Sequence, residues 1–190
     1  MSRYFFEGIE IEVPDSVYEP REDSILLANH LKSLKEKNME VLEMGCGSGL
    51  LSIILAKENN VTSVDINPVA IDITKKNAED NNVSLKIINS NLFDQVESKY
   101  NLIIFNPPYL PDSDDIPGNE TWADKGTITK FIKEVSNYLK PNGRVLMIVS
   151  SLTTEKDVIK EFESLDFTVK VLKTQKIAWE TLFLLESKLL

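Results

Sequence analysis

Apolar and polar positions alternate along the chain with two periods, and this pattern predicts strands and helices in regular succession. Residues 9–13 alternate apolar and charged side chains, which indicates a half-buried strand. The dipeptide Glu7-Gly8 is a turn sequence that would fold residues 4–6 back onto that strand as a hairpin. Apolar residues then recur at helical spacing over residues 21–37, and they predict a first helix.

Beyond residue 38, buried-strand patterns and amphipathic helix patterns follow one another strictly. Such alternation predicts a mostly parallel sheet with helices on both faces. The predicted strands are residues 40–45, 61–66, 84–90, 100–105, 142–150, 167–172 and 181–187. The predicted helices are residues 49–58, 68–81, 127–139 and 153–164. Residues 107–126 form a long predicted loop, and its length favours a functional role at the edge of the sheet.

Composition narrows the class of protein. The 190 residues favour a single domain, in which we expect residues 1–38 to pack on a core of residues 39–190. The formal net charge of −9 disfavours tight nucleic-acid binding by the isolated chain, because such a surface repels phosphate groups. No apolar run approaches the roughly 20 residues that span a bilayer, and one cysteine fits a reducing cytoplasm. One histidine and one cysteine exclude the common zinc ligand sets, so we expect no metal site.

A glycine-rich loop follows the first strand of the predicted sheet. Gly45, Gly47 and Gly49 lack side chains, so the backbone is free to turn tightly and to approach a ligand closely. The spacing departs from the Gly-x-Gly-x-x-Gly of dinucleotide sites, because leucine stands where the third glycine would be. Glu43 would sit poorly beside a pyrophosphate, whereas it suits a cationic ammonium or sulfonium group. A tight turn without a ligand also fits the pattern.

Polar residues end the next two predicted strands. Asp65 closes the second strand, at a distance from Glu43 that is typical of a carboxylate binding ribose hydroxyls. Asp65 is equally a good residue to cap the helix that begins at Pro68. Asn91 and Leu92 follow the third strand, where they would contact an adenine ring, although asparagine is also an ordinary turn residue.

The most specific motif is Asn106-Pro107-Pro108-Tyr109, directly after the strand at 100–105. A planar nitrogen is a poor nucleophile, because its lone pair is delocalised. The Asn106 side-chain oxygen and the Pro107 carbonyl would each accept one of its N–H hydrogens, and the two prolines would hold these acceptors in place. Tyr109 would stack on the flat substrate group. Such a clamp aligns a planar nitrogen for attack on a methyl group and needs no general base.

Together these motifs resemble the class I S-adenosylmethionine-dependent methyltransferases of the HemK-like family. This family methylates the glutamine amide of the Gly-Gly-Gln motif in translation release factors. The resemblance rests on residues 17–24, Glu43–Gly49, Asp65–Pro68, Asn106–Tyr109 and Glu180–Leu182. Residues 17–24 look like the short branch found in archaea and eukaryotes. The resemblance implies a Rossmann-like sheet of seven strands in the order 3-2-1-4-5-7-6, counting from the strand at 40–45, with the last strand antiparallel.

By this resemblance, the cofactor is S-adenosylmethionine and the product is S-adenosylhomocysteine. The residues implied to line the cofactor are Tyr18, Ser24, Glu43, Gly45, Gly47, Gly49, Asp65, Asn91, Leu92 and Asn106. The implied catalytic residues are Asn106, Pro107 and Tyr109. The chain departs from the family's pattern at two places: Asn91 replaces a frequent acidic residue, and Asp124-Lys125 replaces a glycine pair.

The resemblance implies a cytoplasmic enzyme that methylates the Gly-Gly-Gln glutamine of a release factor, although some members of this branch act on lysine. Relatives in the branch work with a small zinc-binding activator protein, which would dock on the edge strand at 84–90. Two alternatives stay open. One is methylation of an exocyclic amino group on adenine or guanine in nucleic acid, against which the negative charge argues. The other is a non-catalytic cofactor-binding subunit, which would have no need of the clamp.

Overall fold

The computed structural model describes residues 1–107, 125–153, 155–178 and 180–190 and has an α/β architecture. No helix in this described part is long and apolar enough to cross a membrane. The strands are β1 (Ser2–Phe6), β2 (Ile9–Val13), β3 (Glu40–Met44), β4 (Asn60–Asp65), β5 (Lys86–Asn89), β6 (Tyr100–Phe105), β7 (Leu139–Ser150), β8 (Phe167–Lys176) and β9 (Thr181–Leu189). The α-helices are α1 (Glu22–Lys32), α2 (Leu50–Ala56), α3 (Pro68–Asp80), α4 (Lys125–Val135) and α5 (Glu155–Glu163).

Seven strands form one sheet in the order β5-β4-β3-β6-β7-β9-β8. Strands β3 to β7 pair in parallel, whereas β9 runs antiparallel to both β7 and β8. This is the order and orientation that the resemblance implied, so the predicted fold is confirmed. The carboxyl ends of β3, β4 and β6 meet at one edge of the sheet, which is where ligands bind in open α/β folds.

Apolar side chains cover both faces of the sheet. Val41 and Leu42 are consecutive, fully buried residues of β3, yet they belong to different core clusters. Successive side chains of a strand point to opposite faces, so one strand contributes to both layers. The β1–β2 hairpin joins the layer that contains α1, α2 and α3, where the side chain of Asn77 on α3 exchanges two hydrogen bonds of 2.9 Å with the backbone of Glu12.

Several predicted boundaries are wrong, among them the end of α4 at Val135 and the end of β8 at Lys176. Helix α1 ends at Lys32, several residues before the predicted end. Strand β7 begins at Leu139, inside the stretch predicted as helix, because Leu139 already pairs with Tyr100 of β6. The pairing with β6 resumes only at Arg144, so residues 140–143 of β7 form an irregularity in the register between the two strands.

The sequence Pro141-Asn142-Gly143, which is typical of a turn between a helix and a strand, instead lies within β7 at this irregularity. Asn142 adopts a φ of 62°. A Cβ atom at Gly143 would lie 2.8 Å from the Lys140 carbonyl oxygen, which only glycine avoids. The turn residues therefore mark an irregularity within the strand, whereas tertiary pairing decides where the strand starts.

Candidate active site

The glycine-rich loop connects β3 to α2 at the carboxyl edge of the sheet. Gly45, Gly47 and Gly49 have φ values of 69°, 53° and 82°, which L side chains rarely adopt. A Cβ atom at Gly49 would lie 2.9 Å from Thr74 Cγ2, so this glycine permits close packing of the loop on α3. At Gly45 and Gly47 the nearest described atoms would be 3.6 and 4.0 Å away, from Phe105 and Val17, respectively. The close approach of a ligand to these two glycines stays a prediction.

Asp65 braces the same loop. Its Oδ2 accepts a 2.9 Å hydrogen bond from the Gly47 N–H, and its Oδ1 accepts one of 2.9 Å from the Asn67 N–H. The helix cap is Asn67, whose side chain accepts from the Val69 N–H at 3.0 Å, so the alternative role of Asp65 as the cap is wrong. Each carboxylate oxygen has two lone pairs, so Asp65 retains the capacity to accept hydrogen bonds from ribose hydroxyls.

Glu43 is buried behind the glycine loop, with 3% of its surface exposed. Its carboxyl group accepts a short hydrogen bond from Ser52 Oγ, which lies 2.6 Å from Ser63 Oγ. Burial raises the pKa of Glu43 to about 8; the hydrogen bond from Ser52 opposes this shift, and the negative charge of Asp65 adds to it. The group is therefore largely protonated at neutral pH, and a nearby cation would favour its ionised form.

This burial predicts a pH dependence of stability. A carboxyl group whose pKa is raised on folding stabilises the native state fully below its unfolded pKa, and this contribution is lost as the pH rises through about 8. The unfolding free energy of the cofactor-free protein should fall between about pH 5 and pH 8, by at most about 1.4 kcal/mol per pH unit. Urea unfolding at several pH values measures this slope. Glu43→Gln keeps the shape of the side chain but does not titrate, so it should reduce the fall of the unfolding free energy with pH. An equal slope in both proteins would show that Glu43 is not the group responsible.

The segment before α1 meets the end of β6. Asn106 Nδ2 donates to Asp23 Oδ2 at 2.9 Å and to Ser24 Oγ at 3.3 Å. The Tyr18 hydroxyl lies 3.2 Å from both oxygens of Asp23, to which it donates. Asn106 Oδ1 is buried and has no hydrogen-bond partner within the described residues. Among the described residues, this oxygen is therefore a buried acceptor without a donor at the carboxyl edge of the sheet.

The structure brings together two groups of the residues named from the sequence. Gly47 and Asp65 form one, and Tyr18, Ser24 and Asn106 form the other. In the segment that follows β5, Asn91 is exposed and Leu92 is buried, with a φ of 49° for Leu92. Their contact with the adenine ring stays a prediction, as do the roles of the other site residues.

The sequence interpretation missed Asp23, which joins Tyr18, Ser24 and Asn106. The available signal was a carboxylate next to Ser24 in the motif that precedes α1. Pro107 is buried at the end of the described segment, whereas Tyr109 lies outside the described residues. The predicted functional loop at 107–126 also lies outside them, except at its two ends. No cluster of three or more potential metal ligands occurs within the described part of the chain.

A Rossmann-like sheet with its glycine loop, Asp65 and Asn106 at strand ends along one edge is typical of the class I methyltransferase fold. Residues 20–177 match the family model of the methyltransferase small domain, so the chain belongs to this family. The enzyme takes its methyl group from S-adenosylmethionine. The residues present are compatible with this cofactor: Asp65 retains lone pairs that could accept from ribose hydroxyls, a nearby cation would favour the ionised form of Glu43, and the described atom nearest to a Cβ position at Gly47 is 4.0 Å away. The individual contacts with the cofactor stay predictions.

Known proteins resemble the chain over most of its length. A protein of Methanocaldococcus jannaschii, provisionally named a protein N5-glutamine methyltransferase, is 41% identical over 95% of this chain and 96% of its own length. The release factor glutamine methyltransferase of Streptococcus pneumoniae is 29% identical over 75% of this chain, which spans only 57% of that enzyme. One chain of the solved E. cuniculi Mtq2–Trm112 complex, responsible for methylation of the termination factor eRF1, is 25% identical. The superposition of the two structures has a TM-score of 0.76 and covers 92% of this chain and 99% of the chain from the complex.

Proposed function

We propose that this methyltransferase modifies the side-chain amide nitrogen of a protein glutamine, namely the glutamine of the Gly-Gly-Gln motif in a translation release factor. The observation that carries the proposal is the buried Oδ1 of Asn106 at the carboxyl edge of the sheet, which has no hydrogen-bond partner among the described residues. A buried polar atom without a partner is costly. A substrate N–H at this position would satisfy it.

The chemistry of an amide nitrogen explains why the clamp needs acceptors. When bound, S-adenosylmethionine supplies an electrophilic methyl group. Asn106 Oδ1 and the Pro107 carbonyl would accept the two hydrogens of the substrate amide and so direct its lone pair towards that methyl group. Both oxygens would also stabilise the positive charge that develops on the nitrogen. The methylated nitrogen is acidic and sheds its proton easily, so no basic side chain is required.

Two observations favour a protein substrate over a nucleic-acid base. The M. jannaschii, S. pneumoniae and E. cuniculi proteins are each described as acting on a protein. The net charge of −9 disfavours a polyanionic substrate. A release factor acts in translation, so the proposal places the enzyme in the cytoplasm. A non-catalytic subunit would retain the buried acceptor of Asn106 without a use for it.

Radiolabelled methyl transfer tests this function. The enzyme is incubated with labelled S-adenosylmethionine and either a purified release factor or total RNA. Label should appear in the release factor, and mass spectrometry should place it on the glutamine of Gly-Gly-Gln. A release factor with glutamate in place of that glutamine is the matched control and should stay unlabelled. Label confined to RNA would overturn the proposal.

The proposal includes a small zinc-binding activator protein that docks on β5. Strand β5 ends the sheet order, so one of its edges has no neighbouring strand among the described residues. Ile87 and Ile88 are half-buried, and Lys86 is the one charged residue of the strand. Such an edge suits the addition of a strand from another protein. The E. cuniculi complex with Trm112 supports a partner of this kind.

Proline substitution tests the docking site. Successive N–H groups of a strand point to opposite edges, so Ile87→Pro and Ile88→Pro form a matched pair. One of the two substitutions removes a backbone N–H group that points away from β4. That variant should no longer co-purify with the activator, and its binding of S-adenosylhomocysteine should stay intact. The other should weaken pairing with β4 and lower the melting temperature. Hydrogen exchange then localises the contact: if the activator binds without protecting the amides of residues 84–90, the interface lies elsewhere.

A further inference from the structure

Asp23 and Asn106 form a buried polar pair that links the start of α1 to the end of β6. Asp23 is 2% exposed, and its Oδ2 accepts the 2.9 Å hydrogen bond from Asn106 Nδ2. The second contact of Nδ2 is with Ser24 Oγ at 3.3 Å. Ser24 Oγ in turn donates to Asp23 Oδ1 at 3.2 Å, and the Ser24 N–H donates to the same oxygen at 2.6 Å. The pair therefore belongs to a closed network.

The network distinguishes the two ends of the Asn106 side chain. A carboxylate only accepts hydrogen bonds, so Asp23 attracts the amide nitrogen of Asn106 and repels its oxygen. Rotating the amide by half a turn would put Oδ1 against the Asp23 carboxylate and leave the nitrogen facing the site. In the observed orientation both Nδ2 hydrogens have acceptors, and Oδ1 is the atom without a partner in the described chain.

We propose that Asp23 is a positioning residue that fixes the Asn106 amide with its oxygen towards the substrate nitrogen. The inference rests on the proposed function. It has a consequence for specificity, because a clamp locked as an acceptor binds the N–H groups of glutamine and repels the carboxylate of glutamate. The charge of Asp23 also polarises the Asn106 amide, which strengthens Oδ1 as an acceptor when positive charge develops on the substrate.

The variant Asp23→Asn tests the role of the charge with almost no change of shape. It allows either end of the Asn106 amide to face the substrate. We expect kcat to fall at least about tenfold, the effect of losing a hydrogen bond to a charged group. The affinity for S-adenosylhomocysteine should change little, since it does not depend on which end of the Asn106 amide faces the substrate.

Exchanging the two side chains provides the rescue. In Asp23→Asn combined with Asn106→Asp, the introduced amide at position 23 donates to the introduced carboxylate at position 106. The second carboxylate oxygen then faces the substrate as an acceptor. The double variant should recover kcat severalfold over Asp23→Asn, whereas a residue needed only for folding would give no such recovery. Wild-type kcat in Asp23→Asn, or no recovery in the exchange, would overturn the inference.

An NMR measurement on the wild-type protein separates this inference from the proposed function. The side-chain amide resonances of Asn106, identified by their absence in Asn106→Asp, report on its two hydrogens. Both hydrogens should exchange slowly with solvent if Asp23 and Ser24 hold them. Rapid exchange would refute the positioning role even if glutamine is the substrate. Slow exchange in an enzyme that fails to label the release factor would leave the positioning role supported and the proposed function wrong.

Discussion

Asn106→Ala should reduce turnover by on the order of 100-fold or more, comparable to the loss of one oriented polar stabiliser in other enzymes. The substitution removes the buried Oδ1 that we assign to the substrate amide, together with the contact to Asp23. Alanine supplies no acceptor, so the substrate nitrogen would keep its lone pair delocalised. The affinity for S-adenosylhomocysteine should fall much less, because Asn106 acts mainly on the transition state.

Asn101→Ala is the matched control for this experiment. Asn101 lies at the other end of β6, where its Oδ1 accepts a 2.9 Å hydrogen bond from the Glu40 N–H. The control loses the same side chain from the same strand, so it should lower stability and leave turnover close to wild type. Kinetics with a release factor substrate compare the two variants. Full turnover in Asn106→Ala would contradict the clamp.

Asp65→Ala should weaken S-adenosylhomocysteine binding by about 1.5–3 kcal/mol, the range for lost hydrogen bonds to a charged group. Isothermal titration calorimetry measures this change. The substitution also removes the acceptor of the Gly47 and Asn67 N–H groups, so part of the loss would come from a looser glycine loop. Asp80→Ala is the control, since Asp80 is an exposed residue at the end of α3 that pairs with Lys76.

A cofactor analogue without ribose hydroxyls separates the two contributions. The wild-type protein should bind S-adenosylhomocysteine more tightly than its 2′,3′-dideoxy analogue, because only the former has hydroxyls to donate to Asp65. Asp65→Ala should bind both with similar affinity. If Asp65→Ala still prefers S-adenosylhomocysteine over the dideoxy analogue as strongly as the wild type does, another group binds the ribose. Asp65 would then act only by stabilising the glycine loop.

The alternation of strands and helices was predictable from the hydrophobic pattern of the sequence, whereas the order of the strands followed from the resemblance to a known family and not from the pattern. The motifs also placed Asp65 and Asn106 at strand ends that meet. The contact between Asp23 and Asn106 was not predictable in this way, since 83 positions separate the two residues. It depends on how α1 packs on the sheet, which no local pattern encodes. The same holds for Gly49, whose neighbour Thr74 comes from a different helix.

Strand β8 has consequences for synthesis of the protein. It ends the described sheet, and its neighbour is β9, which follows it in the chain. On the ribosome, β8 therefore emerges before β9, the strand that pairs with it. The edge of β7 that pairs with β9 is also unpaired until β9 has been synthesised. The nascent chain exposes unpaired strand edges during this interval, and such edges promote aggregation. The exposed residues Lys170, Lys173 and Lys176 give β8 a repeated positive charge, and charges of this kind on an edge strand oppose its pairing with another copy.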